Sequence, residues 1–397
     1  MTYQRRLALF YGALFLIYGV HLPYLPVWLE WRGLSAAEIG IVTAAPFFLR
    51  GVVTPAAGAL ADRMGNHRVL VVWLSLLALG SSLALARMEG FWPILAAALA
   101  LALATTTIMP LTETIAVAGV RASGLDYGRM RLWGSLSFIL ASFGGGALVD
   151  ASGAGVGAWL IVAGCLATLL AASALPAPVP PRQGTRAAAR EPSVGMRALA
   201  VGLLARPELA LFLVAVGAVQ GAHALFYAFG AVHWRGLGIS GTWIGVLWTI
   251  GVLAEVAVFA YSRAILARVG PVELLIAAAL AAMLRWSVMS LDPGLALLVP
   301  LQLLHALTYG AAHVGAIRFI ERAIPERASG TMQALYATVA AGVVMGAATL
   351  ASGAIYERYA GHAYLAMALL ASVGLVAALA LRRRWSGEEV ALGSQAA

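Results

Sequence analysis

The stretch GALADRMGNHR, residues 58–68, places acidic, basic and histidine side chains in a short turn between two apolar runs. The runs at 37–61 and 69–86 are each long enough to cross the hydrocarbon core of a bilayer, which takes about 20 helical residues. Gly65 can adopt the left-handed backbone conformation that a tight turn between helices requires. The stretch therefore predicts two membrane-spanning helices joined by a short polar loop.

The composition extends this prediction to the whole chain. It has 397 residues, of which 62% are hydrophobic and 11% charged, whereas a soluble domain carries about 25% charged residues. The net charge of +9 does not indicate affinity for nucleic acid, because membrane proteins concentrate basic residues on one side of the bilayer. A single cysteine, Cys165, excludes a disulfide within the chain. These features predict an all-α polytopic protein in contact with lipid.

Twelve apolar stretches qualify as spans. They are 7–29, 37–61, 69–86, 91–119, 132–149, 155–175, 209–233, 243–262, 271–291, 294–320, 331–354 and 360–381. A stretch rich in proline and arginine separates the sixth from the seventh and is too polar to insert. We therefore expect two bundles of six helices, at 1–175 and 208–385, a cytoplasmic linker at 176–207 and a cytoplasmic tail at 386–397.

The arginines are distributed unevenly between the two sides of these spans. With the N-terminus inside, twenty arginines lie in cytoplasmic segments and four lie outside, namely Arg32, Arg87, Arg235 and Arg358. Basic residues are enriched in cytoplasmic loops, so both termini are expected in the cytoplasm. The first hydrophobic stretch lacks a signal-peptide cleavage site, and we expect a multi-pass protein of a bacterial inner membrane.

Four charged residues lie well inside the spans, several residues from either end: Arg50, Glu113, Glu255 and Arg285. Charged groups in the membrane interior are costly and mark functional sites or buried structural pairs. The tetrapeptide WRGL occurs at 31–34 and again at 234–237, and this offset suggests a duplicated half. Such repeats form a binding site near the midplane, at the interface of the halves.

The 58–68 stretch resembles the signature between helices 2 and 3 of the major facilitator superfamily. The matching positions are Gly58, Asp62, Arg63, Gly65 and Arg68, while Asn66 and His67 depart from the usual basic pair. The resemblance implies the major facilitator fold, with two pseudo-symmetric six-helix bundles, transport by alternating access, and a gating role for these five residues. An ordinary charged cytoplasmic turn is the alternative reading.

Further stretches narrow the resemblance. PLTET (110–114), LDYGRMRLWGS (125–135), QGAHALFYAF (220–229) and LRWSVM (284–289) resemble the phenylpropionate permease group, which imports small aromatic carboxylates with protons. The same stretches are distantly similar to lactose permease-type oligosaccharide–proton symporters. Glu113 and Arg131, eighteen residues apart, match a substrate-binding pair of those symporters.

The resemblance and the buried charges together nominate the site. The candidate substrate-binding residues are Glu113, Arg131, Gln220, His223, Tyr227, Glu255, Arg285 and His305. An arginine offers a carboxylate a two-pronged hydrogen bond, and Tyr24, Trp28, Phe226 and Tyr227 are candidates to cover an aromatic ring. Arg50, Glu113 and Arg131 could equally be structural.

The sequence does not single out one residue as the carrier of the coupled proton. The lactose-type symporters place a proton-carrying glutamate three residues after the histidine that corresponds to His305, where this chain has Thr308. The candidates for the proton carrier are therefore Glu113, Glu255, His305 and His313, with His223 as a further histidine, because a buried carboxyl or an imidazole can exchange a proton near neutral pH.

Several alternatives stay open. A sugar or nucleoside symporter and an exporter of drugs or metabolites share the same fold signature. An enzyme is disfavoured because the titratable residues are scattered through both halves. The chain has no Walker motif and no metal-ligand cluster, so we expect no cofactor and no metal. The expected partners are a small-molecule substrate, protons and lipid, for a monomer that binds no nucleic acid.

Overall fold

A computed structural model of the chain describes residues 2–123, 125–176 and 196–391. In the first part of the chain the helices are α1 (Tyr3–Trp31), α2 (Ala36–Met64), α3 (His67–Arg87), α4 (Phe91–Ser123), α5 (Tyr127–Ser152) and α6 (Val156–Ser173). Then follow α7 (Met196–Leu204), α8 (Pro207–Gly221), α9 (Ala224–Gly236), α10 (Gly241–Ala260), α11 (Ser262–Leu266) and α12 (Pro271–Met289). The last are α13 (Leu295–Leu303), α14 (Ala312–Ala323), α15 (Glu326–Thr338), α16 (Met345–Tyr359) and α17 (Tyr364–Arg384). Most of the expected linker lies outside the described residues, and α7 forms its end.

Twelve crossings follow from the helix lengths. Within the described part of the chain, 11 stretches are long and apolar enough to cross a membrane. The last of them, Glu326–Arg384, has 59 residues, about three times the roughly 20 that one crossing needs. A 3₁₀ turn at Ala360–Ala363 divides it, where Ala360 has a φ of 46°. Each of the two parts, 326–359 and 364–384, is long enough for one crossing. The predicted all-α polytopic fold is confirmed.

Local sequence signals explain where the helices begin and end. Ser35 starts α2 in a reciprocal capping box with Glu38. Asp126 starts α5 by accepting a hydrogen bond of 3.0 Å from the backbone N–H of Arg129. Gly65 ends α2 with a φ of 63°. This is the left-handed conformation that the sequence predicted for a glycine in a tight turn. The polar side chains therefore satisfy backbone groups that the ends of helices leave unpaired.

The described residues group into two units. The first contains Met1–Pro180, Phe226–Thr249 and Leu350–Arg358, and the second contains Pro181–Leu225, Ile250–Thr349 and Tyr359–Ala397. The boundaries between units pass through α9, α10 and α16. The duplication into halves at 1–175 and 208–385 stays a prediction.

Small residues set the packing of the first unit. An added Cβ at Gly19 of α1 would lie 2.6 Å from the backbone oxygen of Phe138 and 2.7 Å from Cβ of Ala141, both on α5. Ser142 donates to the carbonyl of Gly19 at 2.9 Å. Membrane helices gain little from the hydrophobic effect against one another and associate through such close backbone approach and hydrogen bonds. The α1–α5 contact therefore depends on glycine at position 19.

One carboxylate joins α5 to α10 within the first unit. Asp150 accepts from the backbone N–H groups of Gly241 and Thr242 at 2.6 and 2.9 Å and from the Thr242 hydroxyl at 2.8 Å. Arg235 lies 3.8 Å from the same carboxylate. A negative charge at a helix N-terminus satisfies unpaired N–H groups and is favoured by the helix dipole. Asp150 thus caps α10 from another helix.

The second unit has a continuous apolar core built from α8, α12, α14 and α17. Phe212 stacks on Phe319 with ring centres 4.4 Å apart, and Trp385 packs edge-on against Phe319 at 4.8 Å. Leu203 of α7 is buried in the same core. The residues just after α17 also return to it, because the backbone N–H of Val390 donates to the carbonyl of Ala323 at 2.8 Å.

We expect Gly19→Ala to lower the melting temperature of the purified protein by several degrees. The added methyl group must push α1 from α5, and overpacking of this kind costs about 1–3 kcal/mol. Unfolding can be followed with a thiol-reactive dye, because Cys165 is fully buried. Gly144→Ala on α5 is the matched control, since no described atom lies within 4 Å of its added Cβ. Equal melting temperatures for the two variants would contradict the role of Gly19.

Candidate functional site

A cluster of polar side chains surrounds Arg285 in the second unit. The guanidinium is 0% exposed. Its Nη1 donates to Nδ1 of His305 and to the hydroxyl of Thr308, each at 3.2 Å, and its Nη2 donates to the amide oxygen of Gln302 at 2.7 Å. The acceptors of this buried cation therefore include three uncharged side chains.

Aromatic residues of α12 and α17 fix the position of this cation. The guanidinium carbon of Arg285 lies 4.5 Å from the centre of the Trp286 ring system. Trp286 in turn stacks on Tyr364 of α17, with ring centres 5.7 Å apart. A cation over an indole is attracted by the negative face of the ring, and the stack holds that ring in place.

Glu255 of α10 completes the cluster. Its Oε2 lies 3.5 Å from Nε2 of His305, and its side chain is 20% exposed. Because a guanidinium can only donate hydrogen bonds, Nδ1 of His305 must accept from Arg285. The proton of the neutral ring is therefore on Nε2, where it faces Glu255.

Hydrogen-bond partners that can act in only one direction also fix the tautomer of His223, which lies between α8 and α9. Its Nδ1 faces the carbonyls of Val219 and Gln220 at 3.1 and 3.2 Å, so it must donate. Its Nε2 lies 3.0 Å from the hydroxyl of Thr308. A neutral His223 therefore accepts from Thr308, which itself accepts from Arg285. Arg285 therefore donates to Thr308, Thr308 donates to His223, and His223 donates to the backbone carbonyls.

Irregular backbone brings these groups together. A π-helical segment, Ala306–Ala311, lies between α13 and α14 and follows His305 directly. The rings of His305, Tyr309 and His313 form a ladder along it, with centres 5.3 and 6.5 Å apart. His313 lies at the far end, where its Nδ1 is 3.2 Å from the hydroxyl of Tyr336. π-helical turns are frequent at functional sites.

The first unit contains a separate polar cluster. The hydroxyl of Tyr127 donates to Glu113 at 2.7 Å, and Tyr11 lies within electrostatic range of both Glu113 and Arg131. The guanidinium carbon of Arg131 lies 4.1 Å from the centre of the Phe15 ring. Among the described residues, Glu113 is thus held by a tyrosine rather than by Arg131. Arg131 packs against α1 inside the bundle.

The remaining nominated residues lie in other surroundings. Tyr227 packs against Phe226 and Trp248 in the first unit, with ring centres 5.7 and 5.9 Å away. Arg50 lies over the ring of Phe47 at 5.4 Å. Gln220 is buried on α8 and contributes its backbone carbonyl to His223.

Two of the aromatic residues nominated to cover a ring have structural surroundings instead. Tyr24 is 1% exposed, and its hydroxyl donates to the carbonyls of Ser142 at 2.7 Å and Gly241 at 3.0 Å. Trp28 is equally buried. In this structure, therefore, Tyr24 and Trp28 hold helices together and present no surface to a ligand.

Side chains of the 58–68 stretch contact one another and the end of a neighbouring helix. Asp62 lies 3.1 Å from Nε2 of His67, so the histidine stands as a partner where the signature has a basic residue. Arg68 donates to the carbonyl of Ser173 at 2.7 Å and joins the loop to the end of α6. At Gly58 no described atom lies within 4 Å of an added Cβ. The gating role of this loop stays a prediction.

Sequence reasoning missed two groups of this site. Gln302 was not nominated, although a glutamine inside LLVPLQLL is a strong signal, because an amide is costly in an apolar span unless it is paired. Tyr11 and Tyr127 were also missed, and tyrosine in a membrane protein carries no distinct signal of its own. The role of Thr308 as the partner of both His223 and Arg285 required the structure.

The arrangement of helices identifies the class of protein. The nucleoside transporter NupG superposes on this chain with a TM-score of 0.79 at 18% identity, covering 97% of this chain and 100% of that chain. A bacterial homologue of the human lysosomal transporter Spinster, in an inward-facing and unoccupied conformation, gives a TM-score of 0.74 at 15% identity, covering 97% and 98%. Both likenesses are below 25% identity and show a shared fold.

The sequence shows the family to which the chain belongs. The family described as "MFS_1 like family" matches residues 4–366, and the chain belongs to it. The chain is 33% identical over 376 residues to the probable 3-phenylpropionic acid transporter of Escherichia coli K12, covering 92% of this chain and 95% of that protein. It is 31% identical over 387 residues to the maltose permease of Geobacillus stearothermophilus, covering 96% and 95%. The predicted resemblance, and a transporter rather than an enzyme, are confirmed.

We expect Arg131→Gln to reduce substrate uptake at least about ten-fold without preventing folding. The variant loses the cation that lies over Phe15, a contact worth about 0.5–2 kcal/mol, while the Glu113–Tyr127 bond is kept. The measurement is initial uptake in proteoliposomes with equal amounts of folded protein. Arg129→Gln is the matched control, because the Arg129 side chain is 79% exposed. Uptake by Arg131→Gln at the rate of the wild type would remove Arg131 from the site.

Proposed function

We propose that this protein imports a small aromatic or related organic acid, of the 3-phenylpropionate kind, together with a proton by alternating access. The observation that carries the proposal is the buried Arg285 guanidinium, which donates hydrogen bonds to His305, Thr308 and Gln302. A guanidinium has five N–H donors in a planar fork that fits a carboxylate. The relation to the probable 3-phenylpropionic acid transporter supports the same substrate class.

The charges of the cluster suggest why an acid and a proton would travel together. Arg285 and a deprotonated Glu255 balance one another when no substrate is bound. A bound carboxylate adds one negative charge, and protonation of Glu255 removes one. Because uncompensated charge is costly in the membrane interior, binding of the acid favours uptake of the proton. The predicted cycle is electroneutral.

The hydrogen bonds favour Glu255 as the proton carrier over the histidines and Glu113. Protonating His305 would put a second N–H against the donor Nη1 of Arg285, at 3.2 Å. Protonating His223 would place another cation in the same buried cluster. Glu255 is itself an anion, so taking a proton removes a charge from the cluster and adds no second cation beside Arg285. His313 and Glu113 have tyrosine partners outside this cluster.

A second candidate is import of a sugar or nucleoside with protons. The 31% identity to a maltose permease over 96% of this chain favours a neutral, hydroxyl-rich substrate. Gln302 and Thr308 could bind hydroxyl groups, but such a substrate would bring no negative charge to Arg285. We therefore rank it second, ahead of an exporter.

We further propose that the protein acts as a monomer in a bacterial inner membrane with both termini in the cytoplasm. The asymmetry of the arginines supports this orientation. A fluorescent reporter that folds only in the cytoplasm, fused after residue 397, is expected to be bright, while alkaline phosphatase fused there should be inactive. The opposite pattern would reverse the topology.

The first test is uptake of radiolabelled 3-phenylpropionate into proteoliposomes. We expect accumulation under an inward proton gradient and none under a membrane potential imposed alone, because the cycle is electroneutral. Protein-free liposomes and liposomes with Arg285→Gln correct for passive entry of the neutral acid. Labelled maltose and uridine are tested in the same vesicles. Uptake of either sugar or nucleoside, with no saturable uptake of the acid, would replace the first candidate with the second.

A separate prediction concerns Glu255. We expect Glu255→Gln to lose gradient-driven accumulation and to keep exchange of labelled for unlabelled substrate, because glutamine mimics the protonated side chain. Counterflow in the same vesicles measures exchange. Glu273→Gln, an exposed position in the first turn of α12, is the matched control. Accumulation by Glu255→Gln at the level of the wild type would exclude it as the proton carrier.

A further inference from the structure

Gln302 occupies an unusual position for an amide. It lies on α13 within an apolar run and is 1% exposed. Its oxygen accepts from Nη2 of Arg285 at 2.7 Å. Because the guanidinium can only donate, the oxygen must face it, and this fixes the nitrogen of the amide on the other side.

The Nε2 atom of Gln302 is a buried donor in need of an acceptor. Among the described residues no atom accepts a hydrogen bond from it. An unpaired amide N–H in an apolar environment is costly, and nearly all buried polar groups in native proteins are paired. A donor kept in this position beside a buried cation points to a ligand that supplies the acceptor.

The chemistry of the two neighbouring groups defines that ligand. A hydroxyl or a carbonyl could accept a hydrogen bond from the Gln302 amide but would carry no charge. A carboxylate has two oxygens and a negative charge. One oxygen can accept from the guanidinium and the other from the amide, so that the donor of Gln302 is satisfied beside a cation that attracts the carboxylate. A cation would be repelled.

We propose that Gln302 is a direct ligand of the substrate carboxylate and, through its Nε2, selects acids over the corresponding neutral amides. This inference rests on the proposed import of an organic acid. Arg285 supplies the attraction of charge, and Gln302 supplies a directional donor fixed by its own bond to Arg285. The pair forms one receptor for the carboxylate group.

The test is binding of radiolabelled 3-phenylpropionate to purified protein, with competition by unlabelled 3-phenylpropanamide. In Gln302→Met, which keeps the volume and removes both amide groups, we expect affinity for the acid to fall about ten-fold or more, as for loss of a hydrogen bond to a charged group. Affinity for the amide should change less than about three-fold. In Gln302→Glu, the new carboxylate takes the place of the substrate beside Arg285, and binding of the acid should be lost while the amide still binds.

Gln333→Glu is the matched control, because it makes the same substitution at an exposed glutamine of α15. Melting temperatures reported by Cys165 establish that each variant is folded, and Gln302→Met decides the question if Gln302→Glu does not fold. Wild-type affinity for the acid in Gln302→Met would overturn the inference and leave the proposed function intact. Failure of the wild type to bind the acid would overturn both.

Discussion

A guanidinium with no exposed surface, carried on an apolar helix, is the constraint on which the organisation of the second unit depends. Arg285 cannot accept a hydrogen bond or lose its proton, so each neighbour must present an acceptor to it. This requirement sets the tautomer of His305, the direction of the Thr308 hydroxyl and the orientation of the Gln302 amide. Through Thr308 it reaches His223 as well. A single cation thereby assigns the protons of four uncharged side chains.

The helices around this cation are interrupted where the polar groups meet. His223 lies between α8 and α9, and the π-helical segment Ala306–Ala311 follows His305. Irregular backbone is tolerated at membrane depth only where protein or water surrounds it. A regular helix would space its side chains uniformly at 3.6 residues per turn. His305 and Thr308, three residues apart, both contact one guanidinium nitrogen.

The first unit is held together by a different means. Close backbone contact at Gly19, the hydroxyl of Tyr24 and the carboxylate of Asp150 each join segments distant in the chain. These contacts use small residues and hydrogen bonds to the backbone, which are the interactions available between helices in lipid. In the polar cluster of this unit, Glu113 accepts from the hydroxyl of Tyr127, and Arg131 lies over the ring of Phe15.

The sequence by itself determined the all-helical fold, the number of crossings and the loop at 58–68, because hydropathy over about 20 residues is a local property that lipid enforces on each segment separately. It also marked Arg285, Glu255 and Glu113, since a charge in an apolar run is visible without a structure. It did not show that Gln302 and Thr308 bind Arg285, that Glu113 bonds Tyr127 rather than Arg131, or that Tyr24 serves packing. Those facts depend on which helix faces come together and on interruptions of helical geometry, and no pattern within one helix encodes its neighbour. Only the tertiary structure could decide them, because hydrogen bonds are directional and act over about 3 Å between residues far apart in the chain.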